Sequence, residues 1–411
     1  MTRQTLGLTL SAAALVSGLR SVLYLCFSGR ACLMGFDEAI SFAELCKAIK
    51  ECHKGVGYKD GPNTWYMHRL MKASELQKNI QSGRYKVRPG TVVKIYRPKP
   101  REAVAPFFKD RVWQRSMCNN GIYDDLTRHF ILDNVACQKG KGNDLALRRV
   151  IGFLQKLHRM KPGAPIYGIH LDIRKYFPST PHKLIKELDR QMITEPRFWP
   201  YLDEIIDSLK DPRPESEVAA DPFGPRGTGL GSQINQLHQI ALLNRLDHDL
   251  KTFCRFYIRY NDDFLILDHD KAVVERAKAV IGEYLTLLGL TMTDKSGIFD
   301  VRKTGFTFLR KRFIITPTGK IILRLHNRAL AEERKILRTF KRKLENGEAD
   351  EAALQRHYQS WIAYAEYAGD APIRAMDKFY KELFGKAPQY KRKKRYLYGH
   401  HQNQKRTHQR A

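Results

Sequence analysis

Acid is scarce in this chain. Its 411 residues hold 72 Lys and Arg against 43 Asp and Glu, a formal net charge of +29. Residues 391–411 contain no acid at all. Self-repulsion on that scale destabilises a compact protein, so the charge points to a polyanionic partner, nucleic acid first and an anionic membrane surface second. Paired cysteines are missing as well. The seven cysteines, at 26, 32, 46, 52, 118, 137 and 254, form no C-x-x-C pair and no His/Cys cluster at zinc spacing. Scattered and odd in number, they read as reduced thiols of a cytoplasmic protein, serving as small core hydrophobes. An uninterrupted apolar run is absent too. Residues 6–16 look like the apolar region of a signal peptide behind Arg3, but Arg20 breaks the run before Val22. A membrane span needs about 20 mostly apolar residues. Residues 1–34 therefore keep two readings: an N-terminal helix or anchor, or translation from an upstream start codon with Met34 as the true start. The second is preferred, and no stable membrane association is expected. No internal repeat is visible.

What is present suffices for a core. Hydrophobic residues make up 43% and aromatic residues 10%, as in a globular protein, and the length suggests more than one domain. Apolar periodicity predicts helices within 35–90 and over 112–130, 144–157, 233–251, 272–288 and 327–383. Strands are predicted at 92–97, at the run ending in Asp172, on either side of Tyr260, at 305–313 and at 320–325. Pro98 and Pro100 end the first of these, and the Pro- and Gly-rich stretch 210–231 reads as a loop. Strands joined by a hairpin and flanked by helices give an α+β layout with an antiparallel sheet.

The chemistry concentrates at Tyr260-Asn261-Asp262-Asp263, between the apolar runs Phe256-Tyr257-Ile258 and Phe264-Leu265-Ile266-Leu267. Adjacent acids repel, so a tight turn between strands is a costly place for them unless a cation binds there. Hard carboxylate oxygens suit Mg²⁺. A further carboxylate ends the apolar run Ile169-His170-Leu171-Asp172-Ile173. Such acids can clamp two metals about 3.5–4 Å apart for in-line phosphoryl transfer. In that arrangement Asp172 and Asp262 bridge the ions, the carbonyl of Ile173 adds a ligand and Asp263 supports the site. A solvated acidic turn is the competing reading for Asp262-Asp263 taken alone.

His170-Leu171-Asp172-Ile173-Arg174-Lys175-Tyr176-Phe177-Pro178-Ser179 resembles motif A of bacterial reverse transcriptases, and Tyr260-Asn261-Asp262-Asp263 resembles their Y-x-D-D motif C. The motifs follow the family's order from Val92 to Tyr364. The resemblance implies a right-hand polymerase, with fingers and palm over 91–325 and a helical thumb over 326–386. A helical extension over 35–90 precedes them and a disordered basic tail over 387–411 follows. It also implies RNA-directed DNA synthesis with two Mg²⁺ ions, or Mn²⁺, in which a DNA or RNA primer on an RNA template is extended with dNTPs. Tyr260 then belongs to the nucleotide site. Phe177 falls at the aromatic steric gate, where a ring under the sugar clashes with a 2′-hydroxyl; a core aromatic is the alternative.

Gly227-Thr228-Gly229-Leu230-Gly231-Ser232-Gln233 resembles motif B. Glycine lets backbone approach a base pair, and Ser232 can cap the next helix. Arg226-Gly227 replaces the Gln-Gly that many members carry early in the motif, so Arg226 is expected to take over a nucleotide contact alongside Ser232 and Gln233. Arg101 and Arg111, in segments similar to the fingers motifs, suit the triphosphate; Arg111 could equally hold Asp110 or another acid in a structural pair. Lys295 matches motif D and could protonate the departing pyrophosphate, with a surface lysine as the alternative. Lys139 and Lys141, in a Lys-Gly-Lys-Gly loop, could bind phosphates or be plain loop. Phe308-Leu309-Arg310 resembles the primer-grip hairpin, with Arg310 in place of the usual Gly. Arg338 and Lys341 belong to a run of basic residues at helical spacing that would track a template–primer backbone.

The Ser232-Gln233 ending resembles reverse transcriptases of diversity-generating retroelements. Retron and phage-defence (antiviral) enzymes are the rivals within the family, and a cognate noncoding RNA or a small accessory protein is a further partner they imply. No endonuclease signature or RNase H-like set of acids is evident, which argues against a full mobile-intron enzyme. A non-catalytic RNA-binding scaffold and an RNA-dependent RNA polymerase are rivals of other classes. Removing residues 391–411 should flatten the salt dependence of RNA affinity, since each neutralised single-strand phosphate contributes about 0.7 to the log–log slope. Binding measured across a salt series checks this, and an unchanged slope refutes it.

Overall fold

The computed structural model describes residues 35–95, 101–229, 231–293, 297–326 and 328–392. The expectations for residues 1–34, for Lys295 and for the tail beyond Arg392 lie outside the described residues. Among the described residues no helix is long and apolar enough to cross a membrane. The chain is α+β, with antiparallel sheets.

In chain order the principal elements are α1 (Phe42–His53), α2 (Arg69–Gln81), β1 (Thr91–Ile95), β2 (Arg101–Ala105), α3 (Phe108–Met117), α4 (Asn143–Met160), β3 (Tyr167–Leu171), α5 (His182–Met192) and α6 (Trp199–Asp207). There follow α7 (Gln233–Leu242), α8 (Asn244–Phe253), β4 (Tyr257–Tyr260), β5 (Asp263–Asp268), α9 (Lys271–Leu287) and β6 (Ile298–Asp300). The chain then forms β7 (Phe306–Phe308), β8 (Lys311–Ile315), β9 (Ile321–Leu325), α10 (Ala329–Glu345), α11 (Glu351–Ala365) and α12 (Asp370–Phe384).

The sheet that carries the acids has the order β4-β5-β3-β6. Its strands read as continuous apolar runs because helices cover one face and a second core covers the other. Side chains alternate between these cores with period two. Tyr257, Phe264, Ile266, Ile169 and Leu171 join the core built with α1, α3, α5, α7, α8 and α9. Ile258, Leu265 and Leu267 join the core built with α4 and the β7-β8-β9 sheet. A further cluster lies among α10, α11 and α12, with Trp361 buried in it and Tyr364 packed against it.

Several predicted elements differ in detail. The 233–251 helix is two helices, broken at Leu243 (φ −100°, ψ 9°). The 112–130 helix is interrupted at Asn120-Gly121, where Gly121 has φ 146°; only glycine takes that conformation without strain. The 305–313 strand is a hairpin whose turn residues, Leu309 and Arg310, have φ 48° and 62°. Inside the 210–231 loop the chain forms a short helix, Glu215–Ala220.

One feature of the sheet was not read from the sequence. Arg259, on β4, is fully buried and faces Asp247 on α8, also fully buried. Its Nε donates to Asp247 Oδ1 at 2.7 Å and its Nη2 to Oδ2 at 2.5 Å. The remaining donors reach the carbonyls of Ile240 (3.0 Å) and Asn261 (2.9 Å). Tyr257 and Asn134 also donate to Asp247. A buried pair is weak evidence for net stability, but removing one partner strands the other charge. Arg259→Met should therefore destabilise the protein by about 3–5 kcal/mol. Urea denaturation should show much of that loss recovered in Arg259→Met/Asp247→Leu; equal loss in the double variant would refute the pairing.

Candidate active site

The site is built at the end of the β4–β5 hairpin. Tyr260 pairs with Asp263, leaving Asn261-Asp262 as the two-residue turn. Asn261 takes φ 59°, a left-handed conformation that Asn tolerates better than most residues. On the other side of β5, Leu171 pairs with Phe264, so continuing the register sets Asp172 opposite Asp263. The backbone beyond β3 is fixed from another direction: the Thr293 N–H donates to the Asp172 carbonyl at 2.9 Å, and the Arg174 N–H donates to the Thr291 carbonyl at 2.8 Å.

This geometry brings acids from distant parts of the chain together. The carboxyls of Asp172 and Asp262 share a hydrogen bond. Burial, then the nearby charges of Asp172 and Asp263, push the Asp262 carboxyl up to about 7. Burial and Asp263 also raise Asp172, while its hydrogen bonds with Asp262 and the Ile173 N–H and the charge of His170 act in the opposite direction. Like carboxyls held close cannot both ionise cheaply. Asp263 Oδ1 lies 3.2 Å from His170 Nε2, and the His170 ring meets Phe308 edge-on at 5.8 Å.

Among the described residues no group of three or more His, Cys, Asp or Glu is arranged to hold a metal ion. The donor set nevertheless suits a hard cation. Mg²⁺ is commonly held by one or two carboxylates, with substrate phosphates and water completing its shell. The Asp172–Asp262 pair, charge-frustrated and partly buried, fits that chemistry. Ile173 contributes its N–H to Asp172, and lies in a β-bridge with Met292.

The other candidate residues separate into internal and open groups. Arg226 is committed within the protein: it pairs with Asp221 at 2.6 Å and donates to the carbonyls of Ser179 and Gly289 at 2.9 and 2.7 Å. Ser232 caps α7 by accepting from the Asn235 N–H, and donates to Gln114 at 2.8 Å. Gln233 opens α7 with its Oε1 buried and without a hydrogen-bond partner. At Gly231 an added Cβ would lie 1.9 Å from the Val104 carbonyl oxygen, so the close approach is to strand β2. Lys141 donates to the carbonyls of Ile131 and Asn134 at 3.1 and 2.9 Å, whereas Lys139 is exposed, with its ammonium 4.4 Å from the Tyr123 ring centroid. Tyr85, not Arg111, holds Asp110, through a 2.7 Å hydrogen bond. Arg111 is half-buried on α3, and the Arg101 side chain lies outside the description. Phe177 and Tyr260 are half-buried. Arg310 takes the left-handed conformation that favours glycine and stacks over Tyr364 at 5.7 Å. Arg338 lies over Phe379, and Lys341 is exposed on α10.

Sequence reading missed His170 as a partner of Asp263, although it stands inside the motif. It also missed Arg259, whose signal was a lone cation inside an apolar strand.

No protein-family model and no curated protein matches this chain. Among solved structures, telomerase from Candida albicans with a TWJ fragment of telomeric RNA is similar at 13% identity and a TM-score of 0.44, over 78% of this chain and 59% of its own. Apo telomerase from Candida tropicalis is similar at 12% identity and a TM-score of 0.41, over 61% and 52%. The chain thus spans less than two thirds of either structure, and at these scores the likeness carries no argument.

The folded Asp262 carboxyl, at about 7, stands above its ordinary value of 3.8. Between those values the folded chain binds more protons than the unfolded one, so stability falls as pH rises from 4 towards 7. Asp262→Asn should raise the urea midpoint at pH 8 and change it little at pH 4. Mg²⁺ should raise the wild-type midpoint more at pH 8 than at pH 5. Identical midpoints for the variant and wild type at pH 8 would refute the frustrated pair.

Proposed function

We propose that this chain is an RNA-directed DNA polymerase that extends a primer with dNTPs on an RNA template. The observation that carries this reading is the meeting of Asp172 and Asp262 at the hairpin, where burial and neighbouring carboxylate charge raise both carboxyls above their ordinary values. An acid pair that lowers stability at neutral pH has a physical rationale where a cation is to be bound, and none in a passive RNA-binding scaffold. Asp172 and Asp262 would hold the ions, with Asp263 beside them steadied by His170. Held there, two Mg²⁺ ions, or Mn²⁺, would supply the positive charge needed to activate a primer 3′-hydroxyl and to neutralise a departing pyrophosphate. Phe177 stands on the turn after β3 and screens the sugar of the incoming nucleotide. Exposed cations of α10, among them Arg338 and Lys341, follow the phosphate backbone.

Within this class the Ser232-Gln233 ending favours a diversity-generating-retroelement enzyme over a retron or phage-defence enzyme. Arg226 organises motif B from within in place of a direct nucleotide contact.

Asp172→Ala and Asp262→Ala should each reduce primer extension to background while largely sparing RNA binding. Near-normal extension by either would remove that residue from the reaction. Wild type should incorporate dNTPs in preference to NTPs, and Phe177→Val should narrow the preference. The reverse preference in wild type would make the chain an RNA polymerase.

A further inference from the structure

Gln239 is a full-length amide in the middle of α7, and it is completely buried. A buried amide is costly unless its polar atoms find partners, and here they do. Its Nε2 donates to the Thr228 hydroxyl. Its Oε1 lies 3.0 Å from the Thr180 hydroxyl, whose single proton also faces the Tyr176 carbonyl at 2.8 Å, and its backbone carbonyl accepts from the Tyr176 hydroxyl at 2.5 Å. Thr180 and Thr228 are themselves fully buried.

The partners of this amide converge on one backbone segment. The Thr228 N–H donates to the Phe177 carbonyl at 3.0 Å, and the Thr228 hydroxyl lies 3.3 Å from the same oxygen. The Gly227 N–H donates to the Thr180 carbonyl at 2.9 Å, and Pro181 forms a β-bridge with Arg226. The turn Tyr176–Ser179 is thereby laced to residues 226–228 along its length, with Gln239 behind both. Only Phe177 of the aromatic pair is left partly open: Tyr176 is buried, and its ring lies 6.1 Å from that of Phe177. Lys175, immediately before the turn, has φ 48°, a strained conformation for a side chain with a Cβ that persists only where surrounding bonds enforce it.

We propose that Gln239 and Thr228 are positioning residues that set the sugar selectivity of this site by clamping the backbone of Phe177. The inference rests on the polymerase reading. A steric screen works only if the ring cannot retreat from a 2′-hydroxyl, and a satisfied buried polar network supplies that rigidity. An apolar residue of the same size would fill the space and leave the ring free to yield.

The test is steady-state incorporation of a dNTP and of the matching rNTP by the full chain, with kcat/KM for each. Gln239→Met and Thr228→Val keep volume and remove the side-chain hydrogen bonds while leaving the Thr228 N–H to Phe177 carbonyl bond in place; Thr228→Ser restores the hydroxyl. In Gln239→Met and Thr228→Val, kcat/KM for the rNTP should rise in absolute terms. The dNTP/rNTP ratio should fall about tenfold, equivalent to about 1.4 kcal/mol of discrimination. Thr228→Ser should keep the wild-type ratio. In a Phe177→Val background the clamp variants should change the ratio no further. General damage to the fold lowers both rates and cannot raise one. If Gln239→Met does not fold, Thr228→Val and Thr228→Ala carry the same comparison. A ratio unchanged by the clamp variants but altered by Phe177→Val would overturn the clamp while leaving the polymerase reading standing. Failure of wild type to incorporate any templated nucleotide would overturn both.

Discussion

Two carboxyls that repel each other can be held together only by a framework more rigid than the repulsion is strong. Arg259 supplies much of that framework. It lies two residues before the Asn261-Asp262 turn, is bound to Asp247 through two nitrogens and reaches the carbonyl of Asn261 within the turn itself. The hairpin is thus tied from its own tip to the helices behind it. The β3–β5 register does the rest, because a slip of one residue would send Asp172 to the opposite face of the sheet. A solvent-exposed version of the same turn would have no means of keeping Asp262 near Asp172.

The same device recurs one layer away. Gln239, Thr228 and Thr180 place polar atoms where apolar ones would pack as well, and each finds a partner. Apolar contacts have little directional preference, whereas hydrogen bonds fix angle as well as distance. Where the chain has to define the position of a backbone segment, next to Asp172 and beneath Phe177, it uses the directional interaction.

The basic surplus also divides by use. Arg226, Lys141 and Arg259 donate to carbonyls and carboxylates inside the protein and hold loops and turns. Lys139 and Lys341 remain exposed. Net charge overstates the cations free for a polyanion, because part of it is internal bracing. The difference is a matter of partner geometry, since the same side chain can serve either purpose.

Local pattern was enough to read the acidic turn between apolar runs, the strand ending at Asp172, the helices flanking the sheet and the basic face of α10. Each depends on residues near in sequence and on a side-chain period that the chain displays directly. The break at Leu243, the short helix at Glu215–Ala220 and the true partner of Asp110 were not legible, because each depends on what packs from elsewhere. Arg226 shows the limit most plainly: its place in the motif suggested a ligand contact, and Asp221 with the carbonyls of Ser179 and Gly289 claims it instead. Sequence by itself determined which acids were available and on which strands they would stand. Only tertiary structure decided that Asp262 would meet Asp172, that Asp263 would turn to His170, and that Gln239 would stand behind Phe177. Those outcomes depend on distances between segments far apart along the chain, which folding sets and no local pattern encodes.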